Sequence, residues 1–232
     1  ARAAIAYAFF CLAMGTIEVP AAELLFQSGF EPNVKIIGQS SKDCDIVGAD
    51  ATLTSPNDWE RDLEGHPKIG NVKIFYQDGS KDERIAQIVA DPRDAENRVL
   101  QFWMHKANAA ATSGGTKSRI QLNMYGNEKL TEFTCLTRVY FSKEWKWLRE
   151  RDAGMGWFLC QEFWNNANWT GEKYPFRFNL HIEKSSASSG NKLYFQVRGQ
   201  DMGNKDILWK HDAGSFDIPV EEWLTFYFYV KE

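Results

Sequence analysis

The segment "FRFNLHIEK", Phe176 to Lys184, sets four chemically capable side chains on alternate positions. Arg177, Asn179, His181 and Glu183 alternate with Phe176, Phe178, Leu180 and Ile182. In a strand, successive side chains point to opposite faces, so the first four share one face. An imidazole titrates near neutral pH and can serve as a general base. A guanidinium binds carboxylates through paired hydrogen bonds, an amide both donates and accepts, and a carboxylate accepts. An ordinary solvated face carries a similar alternation, so the neighbouring strands must decide which reading holds.

They repeat the pattern. In "VLQFWMHK", Gln101, Trp103 and His105 oppose Leu100, Phe102 and Met104. In "KSRIQLNM", Lys117, Arg119, Gln121 and Asn123 oppose Ile120, Leu122 and Met124. In "FTCLTRVYF", Arg138 and Tyr140 oppose Cys135, Val139 and Phe141. Glu162 and Trp164 share a parity in "LCQEFW", and Tyr194, Gln196 and Arg198 oppose Leu193, Phe195 and Val197 in "KLYFQVRG". A bland face would be Lys, Glu, Thr and Ser. This one is amide, guanidinium, imidazole and aromatic. Such a face suits sugars: hydroxyls meet directional donors and acceptors, and their C–H faces meet flat rings. The arginines add a preference for anionic sugars.

The elements that must carry these residues are strands. Seven candidates run from "RVLQFWMHK" to "EEWLTFYFYVKE", each bounded by turn residues. From Val34 to about Arg93 the text reads as loop-rich, with a short helix at "WERDLEG" and another at "SKEWKWLRERD". Many strands with few helices predict an all-β antiparallel sandwich. The 232 residues and their aromatic content can fill one core, and a net charge of −4 argues against nucleic-acid partners. Arg2, the apolar run "AAIAYAFFCLAMG" and "VPAA" follow the grammar of a secretory signal over residues 1–22. One domain over 23–232 follows, exported to the extracellular space or periplasm, with no membrane contact after cleavage, acting as a monomer. Export permits at most one disulfide among Cys44, Cys135 and Cys160. The cysteine spacing gives no zinc motif.

With these residues in view, the chain resembles the concanavalin A-like jelly-roll superfamily of lectins and glucanases. Within it, the jelly-roll polysaccharide lyases, of the alginate, glucuronan and heparin lyase type, are most similar. "SRIQLN" resembles their Arg-x-Glu strand, with Gln121 in place of the acid, and "NLH" resembles their Gln-Ile-His strand, with Asn179 in place of the glutamine. The family's terminal tyrosine strand has no counterpart before Glu232, which reads as a C-terminal truncation. The resemblance implies a jelly roll with a concave sheet that binds an anionic polysaccharide and cleaves it by β-elimination. His181 would be the base, Arg119 and Asn179 would hold the uronate carboxylate, and Tyr194 or Tyr140 would protonate the leaving oxygen. His105 is the reserve base. No cofactor or metal is needed for this scheme. Structural calcium near the acidic early loops is compatible with the sequence, though no Asp-x-Asp-x-Asp-Gly loop calls for it. The rival readings are a lectin-like binding module and a glycoside hydrolase using Glu162 and Glu183. Trp164, Asn165, Asn166 and Trp169 could rim a subsite, and Asn168-Trp169-Thr170 is a glycosylation sequon by pattern.

Overall fold

A computed structural model describes residues 23–38, 43–50, 57–77, 79–80, 82–105, 118–127, 129–151, 158–165, 176–202 and 206–231, and the backbone of 7–8. The strands, in chain order, are β1 (Tyr7–Ala8), β2 (Lys35–Ile37), β3 (Asp43–Val47), β4 (Asn71–Gln77), β5 (Arg84–Asp91), β6 (Asp94–Met104) and β7 (Arg119–Tyr125). They continue with β8 (Glu132–Tyr140), β9 (Leu159–Asn165), β10 (Phe176–Lys184), β11 (Leu193–Asp201), β12 (Ile207–Asp212) and β13 (Trp223–Lys231). The fold is all-β, and all its strand pairs are antiparallel among the described residues. Contacts divide the chain into two compact units, Leu12–Thr131 and Ala1–Cys11 with Glu132–Glu232.

The first unit holds a four-stranded sheet, β2-β3-β4-β7, and the β5-β6 hairpin. The region read as loop-rich therefore contains four strands. In "NVKIFYQ" the alternation is strict, and Val72, Ile74 and Tyr76 are all buried. Cys44, Ile46 and Ala86 join them in one core. Trp59 and Leu63 complete it from a single π-helical turn, Trp59–Leu63. That turn starts where Asp58 accepts hydrogen bonds from the amides of Glu60 and Arg61, satisfying two donors that a helix start leaves open. Tyr76 Oη, inside the core, accepts the Ala86 amide at 3.0 Å and so ties the hairpin to the sheet.

The second unit is a two-layer sandwich. One sheet runs β1-β13-β8, the other β12-β11-β10-β9. Phe226 and Phe228 of β13 meet Phe163, Phe178 and Phe195 of the facing sheet at ring-centroid distances of 5.2 to 6.1 Å. Leu180, Ile182, Leu193 and Val197 fill the same layer. Each fully buried side chain of this kind contributes roughly 1.5–3 kcal/mol through burial. One helical turn, α1 (Trp145–Glu150), sets Trp145 edge-on to Phe141 at 4.8 Å. At the edge strand β12, the Trp209 indole lies directly across Gly199. A Cβ there would come within 2.4 Å of the ring, so a side chain at this position would collide with it. The indole also reaches Phe178, at 6.0 Å. Cys44, Cys135 and Cys160 are free thiols. Burial pushes the Cys160 thiol up to about 12.

Candidate functional site

The residues singled out from the sequence fall into three places. Gln101, Trp103, His105, Arg119, Gln121 and Asn123 belong to the first unit. Glu162, Trp164, Arg177, Asn179, His181, Glu183, Tyr194, Gln196 and Arg198 belong to one sheet of the second. Arg138 and Tyr140 lie on β8, in the other sheet of that sandwich. Their neighbours Cys135 and Val139 point into the shared core, so Arg138 and Tyr140 point out of the opposite side. There Arg138 stacks over Trp223 at 5.0 Å, and Tyr140 tilts against the same ring. Lys117, Asn166, Trp169, the sequon and, apart from the backbone of β1, the leader lie outside the described residues.

In the first unit, β7 pairs with β4 so that Gln121 faces Phe75, Asn123 faces Lys73 and Arg119 faces Gln77. Gln121 Nε2 donates to Asn123 Oδ1 at 3.1 Å. On the hairpin, Gln87 donates to Gln101 at 2.6 Å, and Trp103 stacks on His105 at 5.5 Å. Of the remaining histidines, His66 accepts two backbone amides in a turn, and His211 is exposed on β12.

The β9-β10-β11 face of the second unit is the densest polar assembly. Strand β10 occupies the span read from its alternation, Phe176–Lys184. Its apolar parity enters the core, and the middle of its polar parity is buried as well. Asn179 and His181 are both 0% exposed, Gln196 4% and Gln200 8%. The bland reading, a solvated outer face, therefore fails for the middle of this strand. A bulge between Leu180 and His181 shifts the β9 pairing, so that Leu180 opposes Gln161 and His181 opposes Leu159.

Charges on this face come in pairs. Arg177 Nε and Nη2 both reach Glu162 Oε2, at 2.7 and 2.5 Å, and its guanidinium lies over Trp164 at 5.2 Å. Arg198 Nη2 donates to Glu183 Oε1, and its Nε donates to Gln196 Oε1. Gln196 in turn donates to Asp212. Gln200 Oε1 accepts from Asn179 Nδ2 at 3.0 Å and from Arg177 Nη1 at 3.4 Å. Gln200 was not among the residues picked from sequence. It continues the parity of Gln196 and Arg198 one step past Gly199, and that spacing is the signal that would have found it.

Electrostatics separate the titratable groups. Burial, then Arg198 and Arg177, lower His181 to about 4 from 6.5, so the imidazole is neutral at pH 7. Burial raises the Tyr194 phenol, helped by Asp212 and Glu183, so it stays protonated. Burial also raises Glu183, against the pull of Arg198. Among the described residues no cluster of His, Cys, Asp or Glu is arranged to hold a metal, and no helix is long and apolar enough to cross a membrane. No family model matches the chain, nor does any curated protein or solved structure.

Proposed function

We propose that the polar face of β9, β10 and β11 binds an anionic polysaccharide and cleaves it by β-elimination at a uronate. The observation that carries this reading is the pairing of a neutral His181 with a protonated Tyr194 on one strand-paired face. A neutral imidazole can take a proton and a protonated phenol can give one, and the value near 4 makes His181 a weaker base than a free imidazole. His181 would take the C5 proton. The electron pair moves toward the carboxylate, whose growing charge is stabilised by nearby cations. The pair then returns to form the C4=C5 double bond as the C4–O4 bond breaks, and Tyr194 would protonate the departing O4. On this face the cations are Arg177 and Arg198, each oriented by its glutamate. Arg119 belongs to the other unit, and the scheme is written from the residues of this face alone. The protein would act outside the cell, as a monomer and without a cofactor.

A binding module is the second reading, and a specific observation favours it. His181 and Asn179 are shielded from solvent, and a base must touch the proton it removes. Hydrolysis by Glu162 and Glu183 has less support, because each carboxylate already holds an arginine.

The deciding experiment incubates the protein with alginate, glucuronan, pectate and heparin-type polymers and follows the ultraviolet absorbance of unsaturated uronate ends. Absorbance that grows with the parent and is lost in His181→Ala supports elimination. Binding without absorbance or new reducing ends sinks it and leaves the binding module.

A further inference from the structure

The first unit carries a cleft of about 400 Å³, between the segment 31–36 and the β5-β6 hairpin, which contributes Ile88 and Arg98 to its wall. Clefts of this size suit small molecules. Three charged side chains line it: Glu31, Lys35 and Arg98. None of the three makes an ion pair or a side-chain hydrogen bond among the described residues. The carboxylate therefore shares a cleft with two cations and stands out of ion-pair reach of both. Lys35 and Arg98 are exposed, but Glu31 is only 8% exposed. A glutamate so enclosed ordinarily has a partner. The backbone that delivers it is also held in an unusual shape. Phe30 and Asn33, on either side of Glu31 and Pro32, have φ of 64° and 93°, in the left-handed region that side chains disfavour. Neighbours enforce that shape. Asp50 Oδ2 accepts the Gly29 amide at 2.8 Å, and Ser28 Oγ accepts the Phe30 amide at 3.1 Å and the Trp59 indole N–H at 3.0 Å. The Phe30 ring stacks on Trp59 at 5.6 Å. Backbone held against its preference is concentrated where side chains are set in place for ligands.

We infer that this cleft binds a free aliphatic amino acid, with its ammonium group on Glu31 and its carboxylate on Arg98 and Lys35. The argument is one of charge. A purely anionic ligand satisfies the two cations and is repelled by Glu31. A purely cationic ligand does the reverse. A neutral ligand leaves all three charges unpaired. A zwitterion complements both signs, and a guanidinium holds a carboxylate through two parallel hydrogen bonds. Asp50 sharpens the division. Its Oδ2 and Glu31 Oε1 lie 3.0 and 3.8 Å from the point beside Gly29 where a Cβ would stand. The acidic end of the cleft thus has a second carboxylate behind it, which favours an ammonium there and repels a carboxylate. Ile36 and Ile88 line the same cleft and offer apolar surface to an aliphatic side chain. The cleft belongs to the first unit, and the inference does not depend on the uronate reading of β9, β10 and β11.

The test measures binding of leucine, isoleucine and valine by calorimetry. N-acetylleucine, which lacks the ammonium, and isoamylamine, which lacks the carboxylate, are run beside them. The proteins are the parent, Glu31→Gln, Lys35→Met and Arg98→Met, with thermal melting alongside. In the parent, leucine should bind at least about tenfold more tightly than either derivative, the effect of one charge-assisted contact. Glu31→Gln should weaken leucine by about tenfold or more and leave N-acetylleucine no weaker. Arg98→Met should weaken leucine and N-acetylleucine and leave isoamylamine no weaker, and Lys35→Met should do the same to a smaller degree. Lys35 and Arg98 are exposed, so their variants keep the fold. If Glu31→Gln does not fold, those two variants and the two derivatives decide. Binding of none of the three amino acids at millimolar concentration overturns the inference. So does N-acetylleucine or isoamylamine binding as tightly as leucine, or leucine binding that none of the folded variants changes.

Discussion

Strands β7 and β10 look alike on paper, and the molecule uses them differently. "RIQLNMY" and "FRFNLHIEK" each alternate apolar side chains with arginine and amides. On β7, Gln121 and Asn123 bond to each other beside Phe75 and Lys73, half exposed. On β10, Asn179 and His181 are buried as deeply as Leu180 and Ile182 beside them, while Arg177 and Glu183 are partly buried and matched by opposite charges across the sheet. The same alternation therefore supports either a surface or an interior network. What differs is whether neighbouring strands supply complementary partners. β9 and β11 bring Glu162, Gln196 and Gln200, whereas β4 brings Phe75 and Lys73.

The comparison can be broken by removing one partner on each side. Arg177→Met leaves Glu162 buried without its main cation, and unfolding in denaturant should show a loss of about 3–5 kcal/mol. A loss below about 1 kcal/mol would mean that the β10 face is solvated after all. Acid tests the network without mutation. His181 titrates near 4 when folded against 6.5 as its ordinary value, so the unfolded chain takes up the proton first. Stability from this group is complete above pH 6.5 and drains away between pH 6.5 and about 4, by on the order of 3 kcal/mol. Denaturation midpoints measured across that range should fall for the parent and fall less for His181→Gln. Equal slopes would show that the ring is not buried as described. The smallest effect belongs to β7: Gln121→Ala should shift stability by less than about 0.5 kcal/mol, and a shift as large as that of Arg177→Met would erase the distinction between the strands.

The β10 span was legible because its alternation runs unbroken from Phe176 to Glu183 and turn text flanks it. Before Arg93, β4 carries a strict alternation that was there to be read, whereas in β2 and β3 none stands out. β2 has three residues and β3 five, too few for a period to stand out, and glycines and aspartates surround both. In β12 every residue is exposed, so no alternation reports it. The polar parity of β10 could be read, but its burial could not. Burial depends on long-range pairing that local pattern does not encode. The opposite placement of Arg138 and Tyr140 has the same origin. Parity tells which residues share a face of one strand and is silent on which sheet that strand joins.

Gly199 has one more consequence. Because the strand leaves a gap in side chains there, the Trp209 indole rests on bare backbone and touches Phe178 beneath the sheet. The edge of the sheet is thus wired optically to its interior. In a variant that keeps Trp209 and replaces the other tryptophans, the emission of that indole, half in solvent and half against the core, would register any loosening of the strands behind it.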